Sequence, residues 1–154
     1  MLQAGDSAPD VTLIDADDAA FALSRYRGKP LVVYFYPKAD TPGCTNEAKD
    51  FTELAGEFAS VGVPVIGVSR DKPAKLAKFR DKYGLKVTLA SDEDGAVCEA
   101  FGTWIEKSLY GRKYMGIARA TFLIDADGAI LRVWPKVKVK GHAAEVLEAV
   151  KALG

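Results

Sequence analysis

The chain has 154 residues, of which 49% are hydrophobic and 27% are charged, a composition typical of a soluble globular protein with a single domain, residues 1–154. Its 21 basic and 21 acidic side chains cancel to a formal net charge of zero, so bulk charge attracts neither nucleic acid nor an anionic membrane. Two cysteines and one histidine, His142, are too few for a four-ligand zinc site of the usual kind, and no haem-attachment sequence is present. We therefore expect no metal and no other cofactor.

The sequence gives no sign of export or membrane insertion. No apolar run approaches the roughly 18 residues that a membrane-spanning helix needs. The first residues, Met1–Asp6, lack both the basic and the apolar region of a signal peptide. In such a chain the cysteines are expected to be reduced thiols. The sequence therefore predicts a cytoplasmic protein without a membrane partner.

Two kinds of apolar segment alternate along the chain from Leu31 onward. Short runs rich in β-branched residues predict strands, and longer stretches with apolar residues three or four positions apart predict helices. The predicted strands are Leu31–Tyr36, Val63–Val68, Val87–Ala90, Ala118–Ile124 and Ile130–Trp134. The predicted helices span about Thr45–Ser60, Lys72–Tyr83, Gly95–Phe101 and His142–Leu153. A β-α-β-α-β order followed by β-β-α indicates an α/β fold with a central sheet between helices.

The junction between the first of these strands and the first helix carries a cysteine. Pro37 ends the apolar strand, and Thr41-Pro42 is typical of a helix N-cap followed by proline at the first helical position. Cys44 then falls in the first helical turn, where unpaired N–H groups and the helix dipole favour a negative charge. Only the thiolate form of cysteine is a nucleophile, so this position suits a reactive cysteine. The alternative is a buried structural cysteine, because most lone cysteines are small core residues.

The segment from Tyr36 to Thr45 has the sequence Tyr-Pro-Lys-Ala-Asp-Thr-Pro-Gly-Cys-Thr. It resembles the active-site signature of the peroxiredoxins, and in particular of their bacterioferritin comigratory protein or peroxiredoxin Q group. Further segments similar to that group are Gly5–Pro9, Gly67–Pro73, Ser91–Asp94, Phe101–Gly102 and Phe122–Gly128. The resemblance implies a thioredoxin-like fold with a central mixed sheet, flanking helices and additional N-terminal strands between Val11 and Leu23.

The resemblance also implies a thiol peroxidase that reduces hydrogen peroxide and organic hydroperoxides. Cys44 would attack one peroxide oxygen and become a sulfenic acid. Thr41 would place its hydroxyl at the attacked oxygen, or act only as the N-cap. Pro37 would shield the sulfur from water.

The same resemblance implies the groups that stabilise negative charge at the sulfur. The backbone N–H groups of Gly43 and Cys44 would form an anion-binding nest. Arg119 would supply the cation that binds both thiolate and peroxide. Glu47 would orient the guanidinium of Arg119 through a bidentate pair, although an exposed helix carboxylate is an equally good interpretation of Glu47.

The sequence differs from the peroxiredoxin Q group at the second cysteine. Many members carry that cysteine five residues after the first, where this chain has Lys49, or in the helix that here spans Lys72–Tyr83 and contains none. The remaining cysteine, Cys98, has the apolar neighbours Val97 and Phe101, so a core role is favoured over a resolving role. We therefore predict a one-cysteine cycle in a monomer, with thioredoxin, glutaredoxin and glutathione, or another thiol as the reductant. A two-cysteine cycle through Cys98, or a non-enzymatic redox sensor or binding module, remains an alternative.

Overall fold

The computed structural model describes residues 1–153. Its nine strands in that range are β1 Thr12–Asp15, β2 Ala20–Ala22, β3 Leu31–Phe35, β4 Val65–Ser69, β5 Thr88–Ser91, β6 Trp104–Leu109, β7 Arg112–Ile117, β8 Ala120–Ile124 and β9 Ile130–Trp134. The α-helices are α1 Pro42–Glu53, α2 Ala55–Ser60, α3 Pro73–Tyr83, α4 Ala96–Phe101 and α5 His142–Lys151, and a 3-10 helix spans Leu23–Tyr26. None of these helices is long and apolar enough to cross a membrane.

Seven of the strands form one mixed sheet in the order β2-β1-β5-β4-β3-β8-β9. The three central strands β5, β4 and β3 are parallel to one another. On one side β1 pairs antiparallel with β5, and on the other β8 pairs antiparallel with β3. The predicted α/β fold with a central mixed sheet is therefore confirmed, and the expected N-terminal extension is the β1–β2 pair at one edge.

The sheet separates two apolar clusters. Successive side chains of a strand point to opposite faces of the sheet. Because β3 is buried along its whole length, both faces of the sheet are covered there. Tyr34 and Tyr36 belong to the cluster that includes buried side chains of α1, α2, α3 and α5. Val33 and Phe35 belong to the cluster that includes α4 and Leu23 of the 3-10 helix. A residue of α1 and a residue of α4 thus lie on opposite faces of the sheet.

The chain differs most from the elements predicted from sequence in two places. The predicted helix Thr45–Ser60 begins three residues earlier, at Pro42, and is divided at Leu54, where φ is −94° and ψ is 3°. The segment between Phe101 and Ala118, for which no element was predicted, forms the β6–β7 hairpin. Most side chains of that hairpin are exposed, so its apolar pattern is weaker than that of a half-buried strand.

Candidate active site

Cys44 lies in the first turn of α1, which begins just after the carboxyl end of β3. Thr41 is the N-cap, in an extended conformation, and Pro42 occupies the first helical position as predicted. The N–H of Thr45 donates to the Thr41 carbonyl at 2.8 Å, so the N–H groups of Gly43 and Cys44 precede the first helical hydrogen bond. The Cys44 side chain is only 2% exposed. The sulfur is thus sheltered from bulk solvent at the positive end of a helix dipole.

Arg119 reaches Cys44 because it immediately precedes β8, the neighbour of β3. The pairing of Phe35 with Ala120 brings residue 119 to the end of β3 where α1 starts. The Nη2 atom of Arg119 is 3.3 Å from the Sγ atom of Cys44. A Cβ atom at Gly43 would lie 3.2 Å from the same Nη2 atom, so glycine leaves the guanidinium the space that it occupies.

The second nitrogen of the guanidinium pairs with Glu47, one helical turn after the cysteine. Nη1 of Arg119 donates to Oε1 of Glu47 at 2.7 Å. The pair is not the bidentate one expected from the sequence, because Nη2 points to the sulfur. Arg119 therefore bridges the carboxylate of Glu47 and the thiol of Cys44.

The bridge joins a buried carboxyl group to a guanidinium group. Glu47 is 1% exposed, and its Oε2 atom has no hydrogen-bond partner within the described part of the chain. Burial raises the pKa of Glu47 to about 7, although Arg119 acts to lower it. Burial acts to lower the pKa of Arg119, but Glu47 and Cys44 outweigh this and raise it. The guanidinium is therefore a permanent cation beside the sulfur.

The loop between β3 and α1 presents Thr41 and Pro37 on the approach to this turn. The Thr41 hydroxyl donates to the carbonyl of Lys38 at 2.7 Å and does not cap the helix. Because its proton is used in this way, the hydroxyl oxygen presents its lone pairs as acceptors. Pro37 lies two residues beyond the end of β3 and is half-buried.

Hydrogen bonds of four residues that the sequence analysis did not single out hold this loop in place. Asp71, which follows β4, accepts a hydrogen bond from the N–H of Ala39 at 2.8 Å. Asp40 has a left-handed backbone with φ of 62° and accepts hydrogen bonds from Tyr83 at 2.6 Å and Lys82 at 3.0 Å. Asp71 belongs to a segment already similar to the peroxiredoxin Q group, whereas nothing in the sequence pairs Tyr83 with Asp40.

Cys98 is remote from this arrangement. It lies on α4 in the cluster on the opposite face of the sheet from Cys44, and it is fully buried. Its backbone N–H donates to Asp92 at 2.7 Å, and burial raises the pKa of its thiol. Lys49, where many relatives have their second cysteine, is exposed, with its Nζ atom 5.3 Å from the ring centroid of Tyr83.

The site is built from a thiol, a guanidinium and a carboxylate. Within residues 1–153 no group of three or more His, Cys, Asp or Glu side chains could hold a metal ion. The chemistry open to these residues is nucleophilic attack by the sulfur, with the negative charge stabilised by Arg119 and the helix N-terminus.

Comparison with known proteins agrees with this chemistry. A model of the AhpC/TSA family matches residues 4–133. Peroxiredoxin Bcp of Escherichia coli strain K12 is 48% identical over 150 residues, which cover 97% of this chain and 96% of the relative. A putative peroxiredoxin bcp of Coxiella burnetii is 46% identical over 146 residues, which cover 95% of this chain and 97% of the relative.

Solved structures give the same result. The Xanthomonas campestris bacterioferritin comigratory protein, described for its alkyl peroxide reduction activity, is 43% identical with a TM-score of 0.88, over 92% of this chain and 90% of that one. A cysteine-to-serine mutant of Xylella fastidiosa PrxQ is 38% identical with a TM-score of 0.93, over 99% of this chain and 97% of that one. The chain therefore belongs to the AhpC/TSA family and is a peroxiredoxin, a thiol-dependent peroxidase. Within that class its similarity is to the bacterioferritin comigratory protein and peroxiredoxin Q group, as the signature around Cys44 predicted.

Proposed function

We propose that this peroxiredoxin reduces hydrogen peroxide and organic hydroperoxides through a sulfenic acid on Cys44. The observation that carries the proposal is the position of Arg119, whose Nη2 atom is 3.3 Å from the sulfur while Nη1 pairs with Glu47 at 2.7 Å. A fixed cation beside the sulfur at a helix N-terminus is an arrangement that stabilises negative charge on the attacking sulfur. The alkyl peroxide activity described for the Xanthomonas campestris relative supports the inclusion of organic hydroperoxides.

The proposed reaction is an in-line displacement at the peroxide. The Cys44 thiolate forms a bond to one oxygen as the O–O bond breaks, and the other oxygen leaves as hydroxide or alkoxide and takes a proton from solvent. Negative charge spreads from the sulfur over both oxygens in the transition state. Arg119 and the N–H groups of Gly43 and Cys44 stabilise that charge, because they are fixed in place before the reaction begins.

Thr41 and Pro37 have supporting roles in this proposal. The hydroxyl oxygen of Thr41 accepts a hydrogen bond from the peroxide, since its own proton is donated to the Lys38 carbonyl. Pro37 limits the access of water to the sulfur. Glu47 holds the guanidinium of Arg119 in the orientation that lets Nη2 face both the sulfur and the peroxide.

We further propose that the sulfenic acid is reduced by an external thiol. The location of Cys98 across the sheet supports this, because a disulfide requires Cα atoms within about 7 Å, and α1 or α4 would have to unwind to reach that separation. The reductant is thioredoxin, glutaredoxin with glutathione, or another thiol. Because these reductants maintain the thiols of the cytosol, we propose that the protein acts in the cytoplasm, as a monomer like the group it resembles.

Peroxide consumption with dithiothreitol as the only reductant tests the proposal. The wild-type protein should consume hydrogen peroxide and an alkyl hydroperoxide catalytically, and Cys44→Ser should consume neither while keeping its circular dichroism spectrum. A wild-type protein that reacts once with peroxide but does not turn over would be a redox sensor. Catalytic consumption by Cys44→Ser would show that another group is the nucleophile.

A further inference from the structure

The β6–β7 hairpin stands apart from the main sheet. Its two strands pair only with each other among the described strands. Its base is fixed where the Ala118 N–H donates to the Thr103 carbonyl at 2.7 Å, and where Trp104 and Ile117 contact the cluster that includes α4. Beyond this base the hairpin extends into solvent.

The exposed apolar side chains of the molecule are concentrated on this hairpin. Of the ten exposed large hydrophobic residues in the described chain, five lie within residues 104–117. These five are Ile105, Leu109, Tyr110, Tyr114 and Met115. Such a concentration of exposed apolar side chains is typical of a surface that binds a partner.

Strand register divides the hairpin residues between two faces. Ile105 pairs with Gly116, Lys107 with Tyr114 and Leu109 with Arg112, so these six residues share one face, here called the hairpin face. The hairpin face carries two cations and no acidic residue. The opposite face has Glu106 paired with Lys113 at 3.8 Å, so its charges are balanced.

Glycine at position 116 keeps the side chains of the hairpin face close to the strands. A Cβ atom there would lie 3.3 Å from Cδ of Lys107 and 3.4 Å from the Tyr114 ring. The ring and the lysine stem therefore pack over the Gly116 backbone and form a continuous apolar surface with a cation at its end.

The tip of the hairpin displays a tyrosine at a conformational cost. Tyr110 and Gly111 form the two-residue turn, with φ of 51° and 80°. Turns with two positive φ angles favour Asn-Gly, because a bulky residue is strained in the left-handed region. Tyr110 is nevertheless present and is 98% exposed. A strained residue whose side chain touches solvent contributes little to the fold, which points to a role in recognition.

The hairpin face adjoins the catalytic residues. Strand β7 leads through Ala118 directly to Arg119. Burial lowers the pKa of Lys107, Arg119 lowers it further and Cys44 opposes this, so the ammonium group is within electrostatic range of both. A molecule bound to the hairpin face would therefore lie beside the segment that carries Arg119.

We propose that the hairpin face, together with Tyr110, is the docking surface for a protein dithiol reductant that presents a reactive cysteine in an apolar, acidic surface. This inference rests on the proposed one-cysteine cycle. The reductant thiol attacks the Cys44 sulfenic acid, which forms a mixed disulfide and releases water. The second thiol of the reductant then attacks the reductant's first sulfur in that mixed disulfide. This releases the Cys44 thiol and forms a disulfide within the reductant.

The charge of the hairpin face favours this occupant over a second copy of the chain. In a two-fold contact between hairpin faces, Lys107 and Arg112 of one copy would meet the same cations of the other. Between residues 1 and 153, neither of these cations has a carboxylate within salt-bridge distance to offset that repulsion. A partner with carboxylates around its reactive cysteine complements both the charges and the apolar residues.

Kinetics with two reductants test the proposal. Peroxide turnover is measured with dithiothreitol, and separately with purified thioredoxin recycled by thioredoxin reductase and NADPH. The variant Tyr110→Asn removes the ring and suits the positive φ, so the turn is not weakened. Arg112→Gln removes one cation of the hairpin face, and Val61→Asn removes an exposed apolar side chain elsewhere as the matched control.

We expect Tyr110→Asn to raise the KM for thioredoxin about fivefold or more, as loss of an aromatic contact residue does at other interfaces. Arg112→Gln should raise it less and weaken its dependence on salt, and Val61→Asn should leave it unchanged. Dithiothreitol turnover should be the same in all four proteins. An unchanged KM for thioredoxin in both hairpin variants would overturn the proposal. It would also be overturned if dithiothreitol reduces the oxidised wild-type protein but neither thioredoxin nor glutaredoxin with glutathione reduces it.

Two further outcomes would also overturn it. An equal loss of peroxide turnover with thioredoxin and with dithiothreitol would show that the hairpin acts in the peroxide step. Dissociation of a wild-type dimer by Tyr110→Asn in analytical ultracentrifugation, with unchanged thioredoxin kinetics, would identify an interface between copies. If the wild-type protein fails with dithiothreitol itself, the proposed function fails, and that result is distinct from failure of the docking surface alone.

Discussion

The Tyr83 hydroxyl donates a 2.6 Å hydrogen bond to Asp40 and so ties the end of α3 to the loop that carries Thr41. Asp40 has a positive φ of 62°, a conformation that aspartate tolerates better than most residues but that still needs support from its surroundings. The same bond lowers the pKa of Asp40, and Lys82 lowers it as well. Tyr83 is therefore a positioning residue for the active-site loop.

Tyr83→Phe should lower kcat/KM for peroxide several-fold, because the loop loses the bond that fixes Asp40 while the ring remains packed on Phe79. Asp40→Asn keeps an acceptor for the Tyr83 hydroxyl and tolerates the positive φ, so it should retain near wild-type kinetics. Tyr26→Phe removes a hydroxyl far from the loop and is the control. Stopped-flow peroxide reduction measures all three. Equal rates for Tyr83→Phe and wild type would mean that the loop is held without this bond.

Arg119→Met should lower the second-order rate with peroxide by about a hundredfold to a thousandfold, because one fixed donor at a developing negative charge contributes roughly 3–4 kcal/mol. Alkylation of Cys44 by iodoacetamide should slow as well, because the cation that stabilises negative charge at the sulfur is removed. Arg80→Met, which removes another ion-paired arginine but one on α3, should leave both rates unchanged. A wild-type peroxide rate in Arg119→Met would place this residue outside the reaction.

The contribution of Glu47 to the free energy of unfolding should fall between pH 5 and pH 8. Its pKa is raised by burial from 4.5 to about 7, so the folded protein keeps a proton that the unfolded chain has already lost. Stability that depends on this proton is present at low pH and is lost as the pH rises through this window, by up to about 3 kcal/mol. Burial also lowers the pKa of His142 from 6.5 to about 4, and this contribution to stability grows as the pH rises through the same range. Urea denaturation at both pH values should therefore show the effect of Glu47 as a difference: between pH 5 and pH 8 the wild type should lose stability relative to Glu47→Gln.

The exposed carboxylate of Glu57 provides the control for that experiment. The free energy of unfolding of Glu57→Gln should change with pH as that of the wild type does. If Glu47→Gln and the wild type lose the same stability between the two pH values, the carboxyl of Glu47 is already ionised at pH 5 in the folded state.

Cys98→Ser should turn over peroxide with dithiothreitol at a rate close to that of the wild type, because Cys98 is buried on the opposite face of the sheet from Cys44. Its hydroxyl is smaller than the thiol and is buried, so a modest loss of thermal stability is expected. Thermal unfolding followed by circular dichroism separates that loss from an effect on catalysis. A Cys98→Ser protein that is folded but arrested after one turnover would show that Cys98 resolves the sulfenic acid.

The local features of the active-site turn could be predicted from the sequence. Pro37, Thr41 and Pro42 determine where β3 ends and α1 begins, and these are effects of neighbouring residues. The position of Cys44 in the first turn follows from them. The start of β4 was predicted less well, at Val63 instead of Val65, because Pro64 has no N–H and uses only its carbonyl, which accepts from Val32.

Contacts between distant parts of the chain could not be predicted from residue patterns. Arg119 and Glu47 are 72 positions apart and meet only because β8 pairs with β3, a choice of neighbour that periodicity does not encode. The resemblance to the peroxiredoxins identified Arg119 but suggested a bidentate pair with Glu47. In the structure only Nη1 binds Glu47, and Nη2 faces the sulfur of Cys44. Lys107 was missed for a different reason, since the hairpin that carries it is too exposed to show a clear strand pattern.

The central claim is that peroxide oxidises Cys44 to a sulfenic acid that has no partner within the chain, and intact mass spectrometry tests it most directly. The reduced protein is treated with one equivalent of hydrogen peroxide in the presence and absence of dimedone. We predict one dimedone adduct per chain, located on Cys44 by peptide mapping and absent in Cys44→Ser. A dominant species lighter by about two hydrogens, with a Cys44–Cys98 disulfide and no adduct, would contradict the account.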